Sequence, residues 1–204
     1  EAAGEVHHAA ALAMQAAPRA EEKLAFELAA ALWDAALRLG EHRDDERRAL
    51  LVRRAEALSH AGRGPAAAES FLAAADGASA ETGFQCRRRA AHELLVSGHV
   101  HEGLALTSQA LAELGEHLPT STSAAKRQLV WAWIRLAIRG TQFRERPTSV
   151  REGLDELRLD MMRSASIGLS MVDLVPSAAF QARSVLVALR LGDRRRIAYA
   201  LPFH

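Results

Sequence analysis

Two stretches of equal length decide the fold that this sequence predicts. Residues 51–76 read LVRRAEALSHAGRGPAAAESFLAAAD, and residues 87–112 read RRRAAHELLVSGHVHEGLALTSQALA. With an offset of 36 residues, small and apolar residues fall at matching positions: Ala55 and Ala91, Leu58 and Leu94, Gly62 and Gly98, Ala67 and Gly103, Ala74 and Ala110. Small side chains let two helices approach closely, and glycine permits a sharp turn between them. The repetition therefore predicts stacked antiparallel helix hairpins.

The remaining sequence also favours helices. Alanine is abundant, and the β-branched residues that favour strands are thinly spread. Glycines and prolines stand mostly where helices would end or begin. We expect an all-α fold of about ten helices, at residues 3–16, 19–39, 44–61, 65–76, 80–97, 101–114, 123–139, 150–174, 177–191 and 194–201.

We predict that residues 1–204 form a single helical-repeat domain. The clearest repeats span residues 48–79 and 84–115, and the polar stretch 140–149 interrupts the stack. The apolar helix at 129–140 should be buried on several sides. Because the chain starts at Glu1 without a methionine and ends on an apolar helix, we expect it to be a fragment of a larger protein.

The first repeat resembles the tetratricopeptide repeat, in which large, small and turn residues alternate in a fixed order. That order is filled by Leu51, Ala55, Leu58, Gly62, Ala67, Phe71 and Ala74. The second copy departs from it at Arg87 and Thr107, and the family spacing is about 34 residues. The resemblance implies a right-handed superhelix with a concave groove that binds a protein or peptide. On this register the groove is lined by Arg53, Glu56, His60, Arg88, Arg89 and His92.

A wider resemblance covers residues 44–200. The stretches RRRAAHELLVSGHVHEGLA at 87–105, RGTQFRER at 139–146 and IGLSMVDLVPSAAFQARSVLVALRLGD at 167–193 look like the helical C-terminal region of large bacterial serine/threonine protein kinases. Those kinases, found in myxobacteria and other high-GC bacteria, also carry an AAA-type ATPase module. The resemblance implies a signalling parent protein. The clamp of lysine and asparagine with which some tetratricopeptide repeats bind a peptide C-terminus is not reproduced in this sequence.

No catalytic motif is present in the sequence. It has no HRD or DFG motif, no GxGxxG loop and no GxxxxGK[ST] phosphate loop. We therefore expect a non-catalytic chain with no cofactor. A net charge of +1 and an aromatic content of 5% argue against a nucleic-acid partner, and no apolar run is long enough to predict a membrane span. We place the chain in the cytoplasm.

Two local features raise chemical alternatives. The stretch HELLVSGHVHEG at 92–103 begins like a zinc-peptidase helix, but the second ligand position holds Val96. His99 and His101 are expected in a solvated turn, with recruitment of a stray divalent ion as the alternative. Cys86 precedes three arginines that would lower its pKa. The simpler interpretation is a helix residue with no chemical role.

Two functions remain after these exclusions. The leading hypothesis is a protein-interaction or regulatory module within a larger signalling kinase or ATPase. Its partner would be a protein or peptide, including other domains of the same parent chain. The alternative is an effector-sensing arm of an ATPase-linked transcription regulator. Bare apolar ends of a cut repeat array would also allow a dimer that the longer protein does not form.

Overall fold

The computed structural model describes residues 2–119, 121–140, 142–143, 152–170, 173–192 and 194–200, without the side chains of 2–4, 152–155, 195 and 199. These residues form ten α-helices, and no strand occurs among them. The helices are α1 (Ala2–Glu22), α2 (Phe26–Leu39), α3 (Asp44–His60), α4 (Gly64–Ala75), α5 (Ala80–Val96), α6 (Val100–Glu113), α7 (Thr122–Arg139), α8 (Glu152–Ser170), α9 (Leu174–Leu191) and α10 (Arg194–Ala200). The predicted all-α class is confirmed.

The first helix boundary was predicted wrongly. A break was expected near Pro18, but this residue lies inside α1, and the chain turns only after Glu22. Most of the predicted interruption at 140–149 lies outside the described residues, so that prediction is untested.

The chain divides into two compact units, residues 1–106 and 107–204, and the boundary falls within α6. In the first unit, each helix from α1 to α5 packs on the next one in the chain. Short turns join α1 to α2 and α3 to α4, so these pairs form antiparallel hairpins. The single-domain organisation and the right-handed superhelix both remain predictions.

The two predicted turn glycines occupy equivalent bends. Gly62 and Gly98 each lie two residues beyond a helix end, with φ of 73° and 87°. After each glycine, the next amide donates a hydrogen bond to the carbonyl five residues earlier, at 2.8 Å in both bends. This bond pattern closes a helix through a left-handed residue, a conformation that glycine adopts without steric cost. The 36-residue offset is thus confirmed as a repeat of backbone geometry.

A third copy of this bend was missed in the sequence. Leu24 lies two residues beyond α1 with φ of 59°, and the following amide bonds back five residues at 2.9 Å. With an offset of 38 residues, Ala17, Ala29 and Trp33 fall on the positions of Ala55, Ala67 and Phe71. All six of these side chains are buried. This repeat was missed because Leu24 stands where the other two repeats have glycine. Its small residues and its tryptophan follow the same pattern as the other repeats.

The close approach inside the second predicted hairpin requires glycine. A Cβ atom added to Gly103 would lie 2.6 Å from Leu95 Cγ and 3.0 Å from the Leu95 backbone nitrogen. The equivalent position in the first repeat, Ala67, is fully buried. Thr107, which departs from the aromatic pattern, is also fully buried.

The second unit is organised around α9, which packs on α7, α8 and α10. Its core includes Met161, Met162, Phe180 and Leu189, each less than 3% exposed. Asp173 caps the start of α9 by accepting a hydrogen bond from the Val175 amide at 2.9 Å. Among the described residues, α9 alone is long and apolar enough to cross a membrane. Its packing against three helices accounts for that apolar composition.

Helix α7 contradicts the expectation of burial on several sides. Only Ala125 and Ala132 are buried, and Leu136 is half-buried. These three residues share one stripe of the helix, which is the side that can face α9. The large side chains on the remaining surface, including Trp131 and Ile138, are exposed.

Candidate functional site

The six predicted groove residues lie on α3 and α5, within the first unit. The structure brings three of them together. Arg89 Nη1 lies 2.9 Å from Glu56 Oε1, and Arg53 Nη1 lies 3.9 Å from Glu56 Oε2. Arg53 Nη1 is also 3.8 Å from Glu21 Oε2 on α1. A row of alternating charges therefore connects α1, α3 and α5, and we call these four residues the charge row.

Both arginines of the charge row also cover aromatic rings. The guanidinium carbon of Arg89 lies 4.2 Å from the centre of the Phe71 ring, and that of Arg53 lies 5.8 Å from the Trp33 ring. The two arginines are 36 residues apart and thus occupy the same repeat position. Each one joins its helix to the aromatic residue of the preceding hairpin. The charge row therefore also holds successive hairpins together.

The other three predicted residues lie on the same two helices as the charge-row residues Arg53, Glu56 and Arg89. The His60 ring lies 4.8 Å from the Phe26 ring, centre to centre, at the start of α2. Arg88 Nε donates a hydrogen bond to Gln85 Oε1 at 3.0 Å, one turn earlier on α5. His92 is half-buried on α5. Within the predicted groove, Arg53, Glu56 and Arg89 thus form one connected cluster.

Three residues of this face were missed: Glu21, Ser59 and Glu93. Glu21 accepts a hydrogen bond from Trp33 Nε1 at 2.7 Å and lies next to Arg53. A second bond between α3 and α5 runs from Ser59 Oγ to Glu93 Oε1 at 2.8 Å. Recognition of the hairpin around Leu24 would have placed Glu21 on this face. At the same 38-residue offset Ser59 occupies the position of Glu21, but its pairing with Glu93 depends on a contact between helices that the spacing does not specify.

The charge row can bind a polar ligand as well as stabilise the fold. The side chain of Arg53 is 51% exposed and that of Arg89 is 37% exposed. Exposed guanidinium groups can donate further hydrogen bonds to carboxylates or backbone carbonyls. Because the charge row carries charges of both signs, it suits a peptide better than a purely anionic ligand.

The metal and nucleophile alternatives find no geometric support in the described part of the chain. No three histidine, cysteine or acidic side chains come close enough there to hold a metal ion. His99 and His101 are exposed. Cys86 is buried, and burial raises the pKa of its thiol even though Arg89, Arg48 and Arg87 act in the opposite direction. A raised pKa keeps the thiol neutral and lowers its nucleophilicity.

The second unit contains an apolar cavity of about 800 Å³ between α7, α8 and α9. Its wall is largely aliphatic and aromatic, with residues such as Trp133, Leu136 and Ile167. Ser166 and Gln181 supply polar groups to the wall, and Ser166 Oγ donates to the Ser177 carbonyl at 3.1 Å. Cavities of this size and character are typical of small-molecule sites.

Comparison with protein-family models found no matching family, and comparison with curated proteins and with solved structures found no similar protein. The resemblances to tetratricopeptide repeats and to the kinase-associated region therefore remain predictions from the sequence.

Proposed function

We propose that this chain is a non-catalytic helical-repeat module that binds a protein or peptide along the α1, α3 and α5 face. In this proposal the hairpins stack as a right-handed superhelix of the tetratricopeptide type. The module acts in the cytoplasm as a regulatory part of a larger bacterial serine/threonine kinase or ATPase.

The single observation that carries the proposal is the repeated bend. Leu24, Gly62 and Gly98 close three successive turns with the same backbone hydrogen bonds. Repeats of this kind present the first helices of successive hairpins side by side, which creates an extended binding surface. The ion pairs from α1 to α3 and from α3 to α5 support that arrangement, because they require the three helices to be neighbours.

Site-specific photo-crosslinking in the native host tests this proposal. A photoreactive amino acid is placed at His60, which is exposed on the proposed face, and in a matched variant at Glu69, which is exposed on α4. We expect a discrete cross-linked protein from position 60 and none from position 69. The purified partner should then bind the Arg88→Glu variant about tenfold or more weakly than it binds the unaltered protein. Equal cross-linking from both positions would contradict the proposal.

The apolar cavity favours a second candidate, in which the second unit senses a small effector. A thermal-shift screen with metabolites tests it, because a ligand that binds only the folded state raises the melting temperature. Ala178 lines the cavity, so Ala178→Phe should fill part of the space and abolish the shift. The charge-row variant Arg53→Ala should leave that shift intact. A ligand effect that survives Ala178→Phe would exclude this cavity as the sensor site.

A further inference from the structure

Helix α7 carries a second apolar stripe that no described residue covers. Val130, Trp131, Ile134 and Ile138 are between 41% and 83% exposed, and we call them the α7 outer face. Their spacing of one, three and four residues places them on one side of the helix. The other stripe, with Ala125, Ala132 and Leu136, is the one that lies towards α9. A helix with two apolar stripes normally packs against two partners.

The charged residues that α7 itself contributes are all basic. The helix contains Lys126, Arg127, Arg135 and Arg139 and no acidic residue. Arg139 donates a hydrogen bond to the Leu189 carbonyl at 2.9 Å. No described residue forms an ion pair with Arg127 or Arg135, and both are exposed. The electrostatic complement of this surface is therefore acidic.

A cavity of about 340 Å³ adjoins the outer face, and Arg127, Trp131 and Arg135 contribute to its wall. Arg183, also in the wall, forms an ion pair with Glu116. Gln128 lines the same cavity, and its buried Oε1 atom accepts no hydrogen bond from the described residues. A carboxylate at this cavity would pair with Arg127 and Arg135, which form no ion pair with a described residue.

These observations favour a protein helix over the other surfaces that cover apolar faces. A second copy of the chain would bring four basic residues against four others. A lipid surface would accept Trp131 and the two isoleucines. Arg127, however, precedes Trp131 by four residues and therefore lies on the same side of α7. Insertion into lipid would carry its charge towards the apolar region, whereas a protein helix can place a carboxylate opposite it.

We propose that the α7 outer face is a docking site for an acidic amphipathic helix of a partner protein. The partner helix presents apolar residues at three- and four-residue intervals to the outer face. Its flanking carboxylates pair with Arg127 and Arg135. This site lies in the second unit, so it does not depend on the proposed peptide-binding face of the first unit.

A synthetic helix tests the proposal. The probe has 18 residues, the length of α7, with leucines at three- and four-residue intervals and glutamates elsewhere. One control peptide has the same composition in an order that removes the periodicity, and another carries lysine in place of glutamate. Binding is measured by the tryptophan emission of the protein, because Trp131 and Trp133 are exposed whereas Trp33 is buried. We expect a blue shift with the acidic periodic peptide only.

Two double variants locate the site. Ile134→Gln with Ile138→Gln removes apolar contacts, and Arg127→Glu with Arg135→Glu reverses the charge. Because all four side chains are exposed, the circular dichroism spectrum should not change. We expect each double variant to bind the acidic peptide about tenfold or more weakly. The charge-reversed variant should gain affinity for the lysine peptide. Leu28→Gln on α2 and Arg19→Glu on α1, both exposed, are the matched controls and should bind normally.

Several outcomes would overturn the proposal. The acidic peptide could fail to bind, or it could bind both double variants as well as the unaltered protein. Sedimentation could show a dimer that the isoleucine variant abolishes, which would assign the face to a second copy. Vesicles of phosphatidylcholine and phosphatidylserine could bind through the same residues in preference to the peptide, which would assign it to a membrane surface.

Discussion

The guanidinium group of Arg89 lies 4.2 Å above the ring of Phe71 while it pairs with Glu56 at 2.9 Å. Arg53 repeats this relationship 36 residues earlier, over Trp33 and beside Glu21. One residue thus links the helix that carries it to two others. A guanidinium group suits this role because its flat surface stacks on an aromatic ring while its edge donates hydrogen bonds.

Arg89→Ala should lower the free energy of unfolding by about 1–2 kcal/mol. The loss combines a partly exposed cation–π contact, a screened ion pair and the packing of the aliphatic stem. Arg89→Lys should lose about half as much, since lysine keeps the charge but not the planar group. Urea denaturation measures both variants. The control Arg63→Ala removes an exposed ion pair with Glu27 at 3.7 Å and should lower the free energy of unfolding only slightly. Equal losses in the two alanine variants would show that Arg89 does not link the helices as proposed.

Leu24→Gly should stabilise the protein. Leu24 has φ of 59°, and its side chain is 73% exposed, so little apolar burial is lost. The left-handed conformation costs a residue with a Cβ atom about 1–2 kcal/mol, and the greater flexibility of glycine when unfolded offsets about half of this. We therefore expect the free energy of unfolding, measured by thermal denaturation, to rise by about 0.5–1 kcal/mol.

The reciprocal change provides the control for that gain. Gly62 has φ of 73°, and an added Cβ atom would meet nothing within 4 Å. Gly62→Leu should therefore lose about 1–2 kcal/mol through backbone strain alone. If both substitutions shift stability in the same direction, the bends around residues 24 and 62 are not equivalent.

Gly103→Ala should destabilise the protein although alanine is the better helix former. Helix propensity alone predicts a gain of about 1 kcal/mol. Against this, the new Cβ atom would lie 3.0 Å from the Leu95 backbone nitrogen, which cannot move without a shift of α5. Such overpacking costs about 1–3 kcal/mol. The control Ser108→Ala, at an exposed position of the same helix, should be neutral or slightly stabilising. A higher melting temperature for Gly103→Ala would contradict this prediction, because it would mean that α5 and α6 move apart at little energetic cost.

The Cys86 thiol should react slowly in the folded protein. Burial raises its pKa above the ordinary value of 9.0, so the midpoint of its alkylation rate against pH should lie above 9.0. Protein unfolded in guanidinium chloride is the control and should show the ordinary midpoint. A midpoint below 9.0 in the folded protein would mean that the three nearby arginines dominate over burial.

The same pKa shift predicts the sign of a stability change. Above pH 9.0 the thiol of the unfolded chain loses its proton first, so the unfolded state binds fewer protons and stability falls as pH rises. The contribution from Cys86 is fully present below the unfolded pKa and is lost as pH rises through the folded pKa. The stability difference between the native protein and Cys86→Ala should therefore change in favour of the variant as pH rises above 9.0. A constant difference would contradict the shift.

Much of the fold was predictable because local signals and tertiary packing agree. Alanine-rich segments, the left-handed glycines and the apolar periodicity gave nine of ten helix starts within a few residues. The exception is α2, which was expected to begin at residue 19 and begins at Phe26. Just before α2, Leu24 adopts a left-handed conformation that a residue with a Cβ atom disfavours, and Pro18 lies within α1. Tertiary contacts of Ala17, Ala29 and Trp33 override both preferences.

The candidate site was predictable only in part. Recurrence at 36 residues placed Arg53 and Arg89 at one repeat position, but their stacking on Trp33 and Phe71 depends on contacts between helices. The exposed face of α7 was beyond prediction from the sequence. Its composition shows that two sides of the helix are apolar, but not which side finds a neighbour in the same chain.

The sequence by itself determined the helical class, the hairpin turns at Gly62 and Gly98, and the small residues that let hairpins close. These features depend on backbone preferences and on spacing along the chain, which one sequence contains in full. Only the tertiary structure decided that Arg89 covers Phe71, that Cys86 is shielded and that Trp131 is left exposed. Those outcomes depend on which surfaces meet in space, and the spacing of residues along a single chain does not specify which distant side chains come into contact.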